Sequence, residues 1–350
     1  MLFLLPLAPA LLEWYRPTDD QPLAVVRAHD GNIRYFALRF RDFLDEHIPG
    51  LRQGNLPAAT PTCGKIGHGA YQLVNHHASP VLFEEEKIAQ STDQLLLGRG
   101  ELRLQGRMFY EKEVYAAGSL CSGHQSSFRA LLAEGDIALG DECDVVRWMH
   151  SNGSISVGRK NRLYGRVSAE TQIRLQRDTR FVRMFAPSIY FGEPSRESAL
   201  PVPPAAALGE MAEPDRLVDR GAGRWLIAGS YEIPPGSQHH GALVTKENLV
   251  VGENARIDGA LKSTGTLRIK DGTCIEGAVV ATGNIQIGRG CRISGPVVSE
   301  GKVLIATGSV IGGADRPTTI TAPEVRIEEG VLVHGAIWAR ELGYVVPVQS

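Results

Sequence analysis

A repeat of 18 residues runs through much of this chain and constrains its fold more than any other feature. Three consecutive units, KENLVVGENARIDGALKS, TGTLRIKDGTCIEGAVVA and TGNIQIGRGCRISGPVVS, fill residues 246–299 without a gap. When nine such units are aligned, the fourth and sixth positions are apolar or aromatic throughout, and the fourteenth is Gly in seven units. Columns of this kind indicate that each unit adds one equivalent layer to a stack.

Within a unit the apolar residues fall at positions 4, 6, 10, 12, 16 and 18, a period of two inside a period of six. This pattern predicts three short strands per unit, each with one apolar face. Such strands bury that face when the chain coils and the coils stack. The sequence therefore predicts an all-β fold, a single-stranded β-helix (β-solenoid) with 18-residue coils, preceded by a small helical and irregular N-terminal region.

The pattern is not uniform along the chain. Units are clear over 134–187 and again from 228, and a Pro- and Ala-rich stretch separates them. We expect six segments: a membrane-associating segment at 1–16, a helical and irregular region at 17–82, a first solenoid block at 83–191, an insertion or linker at 192–227, a second solenoid block at 228–340 and a C-terminal tail at 341–350.

The N-terminus, MLFLLPLAPALL, carries no charge before Glu13. It is shorter than the roughly 20 residues of a spanning helix, and it lacks the basic region of a signal peptide. The sequence favours a segment that lies in a membrane interface over an arm that packs on the protein itself. The predicted membrane-associating residues are Met1, Leu2, Phe3, Leu4, Leu5, Leu7, Leu11, Leu12 and Trp14.

A helical pattern begins at Asp30-Gly31 and ends at Pro49-Gly50. Its apolar face carries Phe36, Phe40 and Phe43 at helical spacing. We expect this helix to pack over one end of the solenoid, in preference to lying on a membrane.

Three functions compete for a solenoid of this kind: an acyltransferase, a metal-dependent hydratase and a structural polymer. A metal site needs imidazoles that converge, yet His240 and His334 share a repeat position five coils apart. No phosphate-binding loop, Walker motif or nucleophile elbow occurs, so we expect no cofactor and no enzymatic activity. The five cysteines are odd in number and form no CxxC pair, which favours a reducing compartment.

Basic side chains recur in units 152–187. Arg159 aligns with Arg177, and Arg162 aligns with Arg180, at outward positions of successive coils. These four residues are candidates for contact with an anionic partner such as lipid headgroups or an acidic polysaccharide. Nucleic acid is not an expected partner, and a solvated face balanced by nearby acidic residues is the alternative.

The stretch LVVGENARIDGALKSTGTLRIKDGTCIEGAVVATGNIQIGRGCRISGPVVS resembles the core of the bactofilins, polymer-forming bacterial cytoskeletal proteins. The resemblance is strongest over 228–339. It implies a right-handed β-helix that assembles end to end without nucleotide and is held at the cytoplasmic face of the membrane by a short apolar N-terminal segment. The long N-terminal region and the insertion depart from the compact bactofilin pattern.

The sequence thus predicts a non-enzymatic, self-assembling scaffold at the inner face of a bacterial membrane, with a hexapeptide-repeat acyl- or sugar-transferase as the alternative. The protein itself, the membrane lipid surface and client enzymes of envelope or polysaccharide synthesis are the expected partners. A solenoid end exposes unpaired strands to a second copy. The predicted self-assembly layer is the terminal coil, with Val325, Ile327, Val331, Val333 and Ile337. A homopolymer is expected if both ends are free, and a dimer through this layer if the helix caps the first coil. The alternative is a membrane-bound monomer in which Tyr344 to Val348 covers the layer.

Overall fold

The computed structural model of the protein describes residues 32–54, 56, 60–67, 69–75, 77–78, 90–192, 209–210, 217–221 and 224–348. The chain divides into two compact units, 1–32 and 33–350. The described part of the second unit is a β-solenoid of about 13 turns with one short helix near its N-terminus. The predicted fold class is therefore confirmed.

The first solenoid block ends at residue 191 and is preceded by helix α1, Tyr35–His47. Its strands are β1 Cys63–Ile66, β2 Gly69–Val74, β3 His77–Ala78, β4 Gln90–Thr92, β5 Leu95–Gly98, β6 Leu102–Leu104, β7 Met108–Ala116, β8 Leu120–Ser122, β9 Ser127–Ala133, β10 Ile137–Leu139, β11 Asp144–Ser151, β12 Ile155–Val157, β13 Arg162–Ala169, β14 Gln172–Leu175 and β15 Arg180–Phe191.

The second block begins within 192–227, the stretch that the sequence predicts to be an insertion or linker, and most of its strands are short. They are β16 Gly209–Glu210, β17 Leu217–Gly221, β18 Arg224–Ile227, β19 Tyr231–Ile233, β20 Ser237–His240, β21 Ala242–Thr245, β22 Leu249–Val251, β23 Arg256–Asp258, β24 Leu261–Ser263, β25 Leu267–Ile269, β26 Cys274–Ile275, β27 Val279–Ala281, β28 Ile285–Ile287, β29 Arg292–Ile293, β30 Val297–Ser299, β31 Lys302–Ile305, β32 Val310–Ile311, β33 Thr318–Glu328 and β34 Leu332–Val346.

Three parallel sheets form the faces of each block, because every strand pairs with the equivalent strand one coil away. Leu249 pairs with Leu267, and Leu267 pairs with Ile285, so the repeat columns of the sequence are the ladders of the structure. The inward residues of these ladders are buried in one continuous apolar core. Gly at the fourteenth position is required by close stacking, since a Cβ on Gly277 would lie 2.4 Å from backbone atoms of Gly259.

The solenoid starts earlier than the sequence predicts. Strand β2 already pairs in parallel with β5, and β4, β5 and β6 pair with the next coil in the same way. Strands β1, β2 and β3 thus lie within 17–82, which the sequence predicts to be helical and irregular. The early coils escaped detection because their spacing varies and their apolar residues are Leu, Tyr and Met rather than Ile and Val.

Helix α1 lies along one side of the first block, and the prediction that it covers an end is wrong. It packs on outward-facing apolar residues of successive coils, among them Leu97, Tyr115, Leu132 and Trp148. The rings of Phe40 and Trp148 are 5.6 Å apart. These outward residues form an apolar strip parallel to the solenoid axis, and an amphipathic helix buries such a strip along its whole length.

Each block begins with an antiparallel hairpin. Strand β1 pairs with β2 at the outer end of the first block, and β17 pairs with β18 at the outer end of the second. Within the described residues, β1 and β17 have no strand partner on their other side. Strands β3, β4, β16 and β19 likewise pair on one side only in the part of the chain that the structure describes, so the outer ends of the blocks carry several edge strands.

Candidate functional site

The last coils of the two blocks meet each other directly. Strand β15 of the first block pairs antiparallel with β34 of the second, with Arg180 opposite Tyr344 and Ile189 opposite Val333. All other pairings between coils are parallel within the described residues. The two blocks are therefore joined at their C-terminal ends and run in opposite directions from this junction.

Backbone hydrogen bonds close the junction at both sides. The Phe191 amide donates to the Val331 carbonyl at 3.1 Å, and the Gly330 amide donates to the Phe191 carbonyl at 2.6 Å. On another face the Val345 amide donates to the Thr179 carbonyl at 3.0 Å. The polar backbone groups that a free solenoid end would expose are thus satisfied within the chain.

The apolar core continues through the junction. Met184 lies opposite Ile337, and both side chains are fully buried. Phe181 and Phe191 contribute two large rings with centroids 6.0 Å apart on the first-block side. Since burial of each such side chain stabilises by about 1.5–3 kcal/mol, the layer is a substantial apolar interface rather than a polar contact.

Aromatic and polar side chains surround the junction. The Tyr344 hydroxyl donates to Asp178 Oδ1 at 3.0 Å, and burial together with this carboxylate raises the pKa of Tyr344. The Arg180 guanidinium lies 6.0 Å from the centre of the Tyr344 ring, and that of Arg183 lies 5.0 Å from the Trp338 ring. These contacts link the two blocks outside the core.

The five predicted self-assembly residues are all buried inside this arrangement. The structure places Val331, Val333 and Ile337 in the layer that β15 covers, and Val325 and Ile327 one layer deeper. The layer is a stacking surface, as the sequence predicts, but the first block of the same chain occupies it. A second copy therefore cannot stack on this layer while the junction is closed.

The sequence did not identify β15 as the partner of this layer. One signal was available: no complete unit follows 170–187 or 322–339. Residues 341–346, which the sequence predicts to be part of a C-terminal tail, instead belong to strand β34. Two unpaired apolar ends in one chain predict that the ends bury each other. Hydrophobic columns show which layer is terminal, but they carry no information on its partner.

The four arginines predicted to contact an anionic partner lie in two different parts of the coil. Arg162 and Arg180 are cross-strand neighbours on one face. Arg159 and Arg177 lie at a corner, where the Lys160 amide donates to the Arg177 carbonyl at 3.2 Å. Arg162 donates through two nitrogens to Asp144, each at 2.6 Å, so one of the four charges is balanced within the fold.

The histidines do not assemble into a catalytic or metal-binding group. His150 is buried, its Nδ1 is 2.8 Å from Ser168 Oγ, and burial lowers its pKa to about 4. His239 is buried against Trp225, as its inward repeat position predicts, and its pKa is also lowered by burial. Among the described residues, no three or more His, Cys, Asp or Glu side chains are grouped to hold a metal ion.

The predicted membrane-associating residues, Met1 to Trp14, lie outside the described residues. In the part of the chain that the structure describes, no helix has the length and apolar character needed to cross a membrane. Comparison of the chain with family models, with curated proteins and with solved structures found no match.

Proposed function

We propose that this protein is a non-enzymatic scaffold of the bactofilin type that associates with the inner face of a bacterial membrane. The observation that carries the proposal is the junction, because it is an end-to-end contact between two solenoids. It supports the idea that coils of this type associate by sheet stacking. Within one chain, that contact yields a unit longer than either block.

Further copies would associate through the outer edges. With both C-terminal layers buried, the remaining sheet edges lie at the outer ends of the two blocks, and the hairpins β1–β2 and β17–β18 carry two of them. Strand β17 presents Val218, whose side chain is 56% exposed. An edge strand with an exposed apolar residue favours pairing with another chain. We propose that copies join at these edges and form assemblies without nucleotide.

Such an assembly would hold client enzymes of envelope or polysaccharide synthesis along its sides. A stack of parallel ladders is rigid, and it repeats the same outward positions at a spacing of about 4.8 Å. Met1 to Trp14 would anchor it to the membrane interface. In this proposal the fold supplies spacing and rigidity rather than chemistry.

Sedimentation velocity and negative-stain microscopy of the purified full-length protein, at several concentrations and without nucleotide, test the scaffold. We expect assemblies that grow with concentration. Val218→Lys should weaken them, whereas Val348→Lys, at a comparably exposed valine near the C-terminus, should not. A monomer at every concentration would contradict self-assembly, and discrete trimers would favour the transferase alternative.

Membrane association has a separate test. Deletion of Met1 to Leu12 should move the protein from the membrane fraction to the soluble fraction of a cell lysate. If the deleted form still sediments with membranes to the same extent, the N-terminal segment is not the anchor.

A further inference from the structure

An exposed apolar crest crosses the junction along one corner of the solenoid. Val146, Tyr164 and Leu342 are 50%, 53% and 37% exposed. Val146 and Tyr164 follow the paired residues Val145 and Leu163, and Leu342 precedes Gly343, the partner of Phe181. The three side chains therefore belong to the same corner on both sides of the junction, which we call the junction ridge.

Arginine pairs lie on both sides of the crest. Arg162 is directly opposite Arg180 on one face, and Arg166 is directly opposite Arg183 on the other. Like charges in directly opposed positions of a sheet are destabilising. Consistent with this, burial and the neighbouring Arg166 lower the pKa of Arg183. Arginines concentrated in this way attract an anionic surface.

Aromatic rings hold these guanidinium groups at the surface. Arg166 lies 4.8 Å from the centre of the Phe36 ring, and Arg183 lies 5.0 Å from the Trp338 ring. Phe36 and Trp338 are themselves about half exposed. Stacking of this kind fixes a guanidinium while its edge can still donate hydrogen bonds. The ridge therefore combines exposed rings with oriented cations.

The balance of charge at the ridge is basic. Arg147 and Arg340 are exposed on the crest itself, in addition to the four paired arginines. Among the described residues, four carboxylates border the crest: Asp144, which binds Arg162, Glu341, which is adjacent to Arg340, Glu111, which lines a cavity with Val146 and Arg147, and Asp178, which accepts from Tyr344. Six arginines thus face four carboxylates.

We propose that the junction ridge binds the anionic phospholipid surface of a membrane, with the apolar crest inserted between headgroups and the flanking arginines on phosphates. This inference rests on the proposed membrane association and adds a second contact to it. Burial of aliphatic side chains such as Val146 and Leu342 at the boundary between lipid headgroups and acyl chains is favourable. A nucleic acid or a polysaccharide offers no comparable apolar environment.

Helix α1 also contributes to this surface, because its Phe36 lies on Arg166 at the edge of the ridge. Because a single weak membrane anchor is reversible, stable attachment takes two signals, for example an apolar segment and a basic patch.

Co-sedimentation of the full-length protein with vesicles tests the proposal. Vesicles of phosphatidylcholine are compared with vesicles that also contain phosphatidylglycerol. We expect phosphatidylglycerol to raise the partition coefficient of the native protein. The double variant Arg166→Gln and Arg180→Gln should lose roughly 25-fold of that gain, since each basic side chain near an anionic surface contributes about a factor of 5.

A matched control separates local charge from net charge. Arg268→Gln with Arg292→Gln removes the same charge from exposed positions of the second block, and it should leave the partition unchanged. The crest variant Val146→Ser with Leu342→Ser keeps every arginine and should weaken binding to both kinds of vesicle. Circular dichroism of each variant verifies that the solenoid is intact.

Two outcomes would overturn the proposal. In one, both arginine variants lose vesicle binding equally, so that only net charge matters. In the other, the ridge variant binds vesicles like the native protein but loses binding to duplex RNA, which would assign the ridge to nucleic acid. Neither outcome contradicts the scaffold proposal, because sedimentation of the protein without vesicles measures self-assembly independently.

Discussion

The two solenoid blocks have the same kind of coil and one continuous apolar core. They differ in whether their strands end before a corner or continue through it. In the second block most strands have two to four residues and stop before each corner. In the first block β7, β9, β11 and β13 have nine, seven, eight and eight residues and continue through one corner. A coil can therefore keep its three faces while its local spacing varies, as long as the inward residues stay in register.

The blocks also differ on the face next to that corner. In the first block the outward residues are large and apolar, such as Leu132 and Trp148, and α1 covers them. In the second block the equivalent outward residues include Lys262, Val280 and Val298, and no described helix lies over them. The comparison teaches that outward residues, not the repeat, decide whether a solenoid face acquires a second layer.

The largest effect is expected where the two blocks meet. Ile337→Lys would place an ammonium opposite Met184 in a fully buried layer. A buried charge without a partner costs about 5 kcal/mol or more, so the junction should open. We expect each block to remain folded, and the two freed ends should drive concentration-dependent association in analytical ultracentrifugation.

Thr321→Lys is the matched control for this variant. Thr321 is the outward neighbour of Trp338 in the same sheet, and it is partly exposed. A lysine there reaches solvent, so sedimentation and thermal unfolding should stay close to those of the native protein. If the sedimentation and thermal unfolding of Ile337→Lys were also unchanged, the junction would not hold the two blocks together in solution.

The next largest effect concerns the cover of the first block. The side chains of Arg41 and Glu134 are 12% and 10% exposed, and Arg41 Nε donates to Glu134 Oε1 at 2.9 Å. Glu134 keeps its contacts with Arg52 and Asn152 when Arg41 is removed, so we expect the lost charged hydrogen bond to cost about 1.5–3 kcal/mol. Arg41→Ala should therefore loosen α1, seen as faster hydrogen exchange in the helix and beneath it.

Arg39→Ala supplies the comparison on the same helix. Arg39 is exposed, and its contact with Asp42 is at the 4.0 Å limit of an ion pair. We expect no measurable change in exchange. In both variants the second block should exchange at the native rate, since α1 does not lie on it. Faster exchange throughout the second block in Arg41→Ala would show that the cover stabilises the whole solenoid.

A smaller effect is expected from pH, and again on the first block. Burial, followed by the charges of Arg41 and Arg34, lowers the pKa of His150 to about 4, while Glu170 Oε1 lies 3.8 Å from its Nε2. The unfolded chain binds this proton near pH 6.5. The neutral imidazole of His150 therefore makes its full contribution to the free energy of unfolding above pH 6.5. As the pH falls to 4, this contribution decreases by about 3 kcal/mol at most.

His150→Gln isolates this contribution. The difference in unfolding free energy between the native protein and the variant should change between pH 6.5 and 4 and stay constant above pH 7. Chemical denaturation at each pH measures it. Parallel curves across the whole range would show that His150 does not titrate on unfolding.

Much of the fold follows from the repeat columns, since each inward position recurs at 18 residues wherever the corners are tight. Most coils of the second block and of 134–187 keep this spacing, although the register shifts between Leu163 and Arg166 where β13 pairs with β15. The coils before residue 134 do not, because residues such as Glu111 and Lys112 lie in a corner that strand β7 passes through, and the register shifts there. A fixed period cannot detect a coil whose length changes.

The site was predictable only in part. The terminal layer with Val333 and Ile337 could be recognised, because no unit follows it. Its partner could not, because apolar columns are alike on every coil and antiparallel end contact leaves no mark in the spacing. Helix α1 packs along the side of the solenoid because outward residues such as Tyr115 and Trp148 are apolar. These residues are not part of the inward columns that define the 18-residue repeat.

The smallest effect is expected from exposed ion pairs. Their coupling energies should be the same in the two blocks. Arg162 bridges to Asp144 across coils in the first block, and Arg256 binds Asp258 within one strand of the second. Pairs of this exposure contribute about 0–1 kcal/mol and are screened by salt. Double-mutant cycles with Arg162→Gln and Asp144→Asn, and with Arg256→Gln and Asp258→Asn, should give equally small coupling energies. A clearly larger value for the first block would mean that surface charge, and not buried contacts alone, separates the stability of the two blocks.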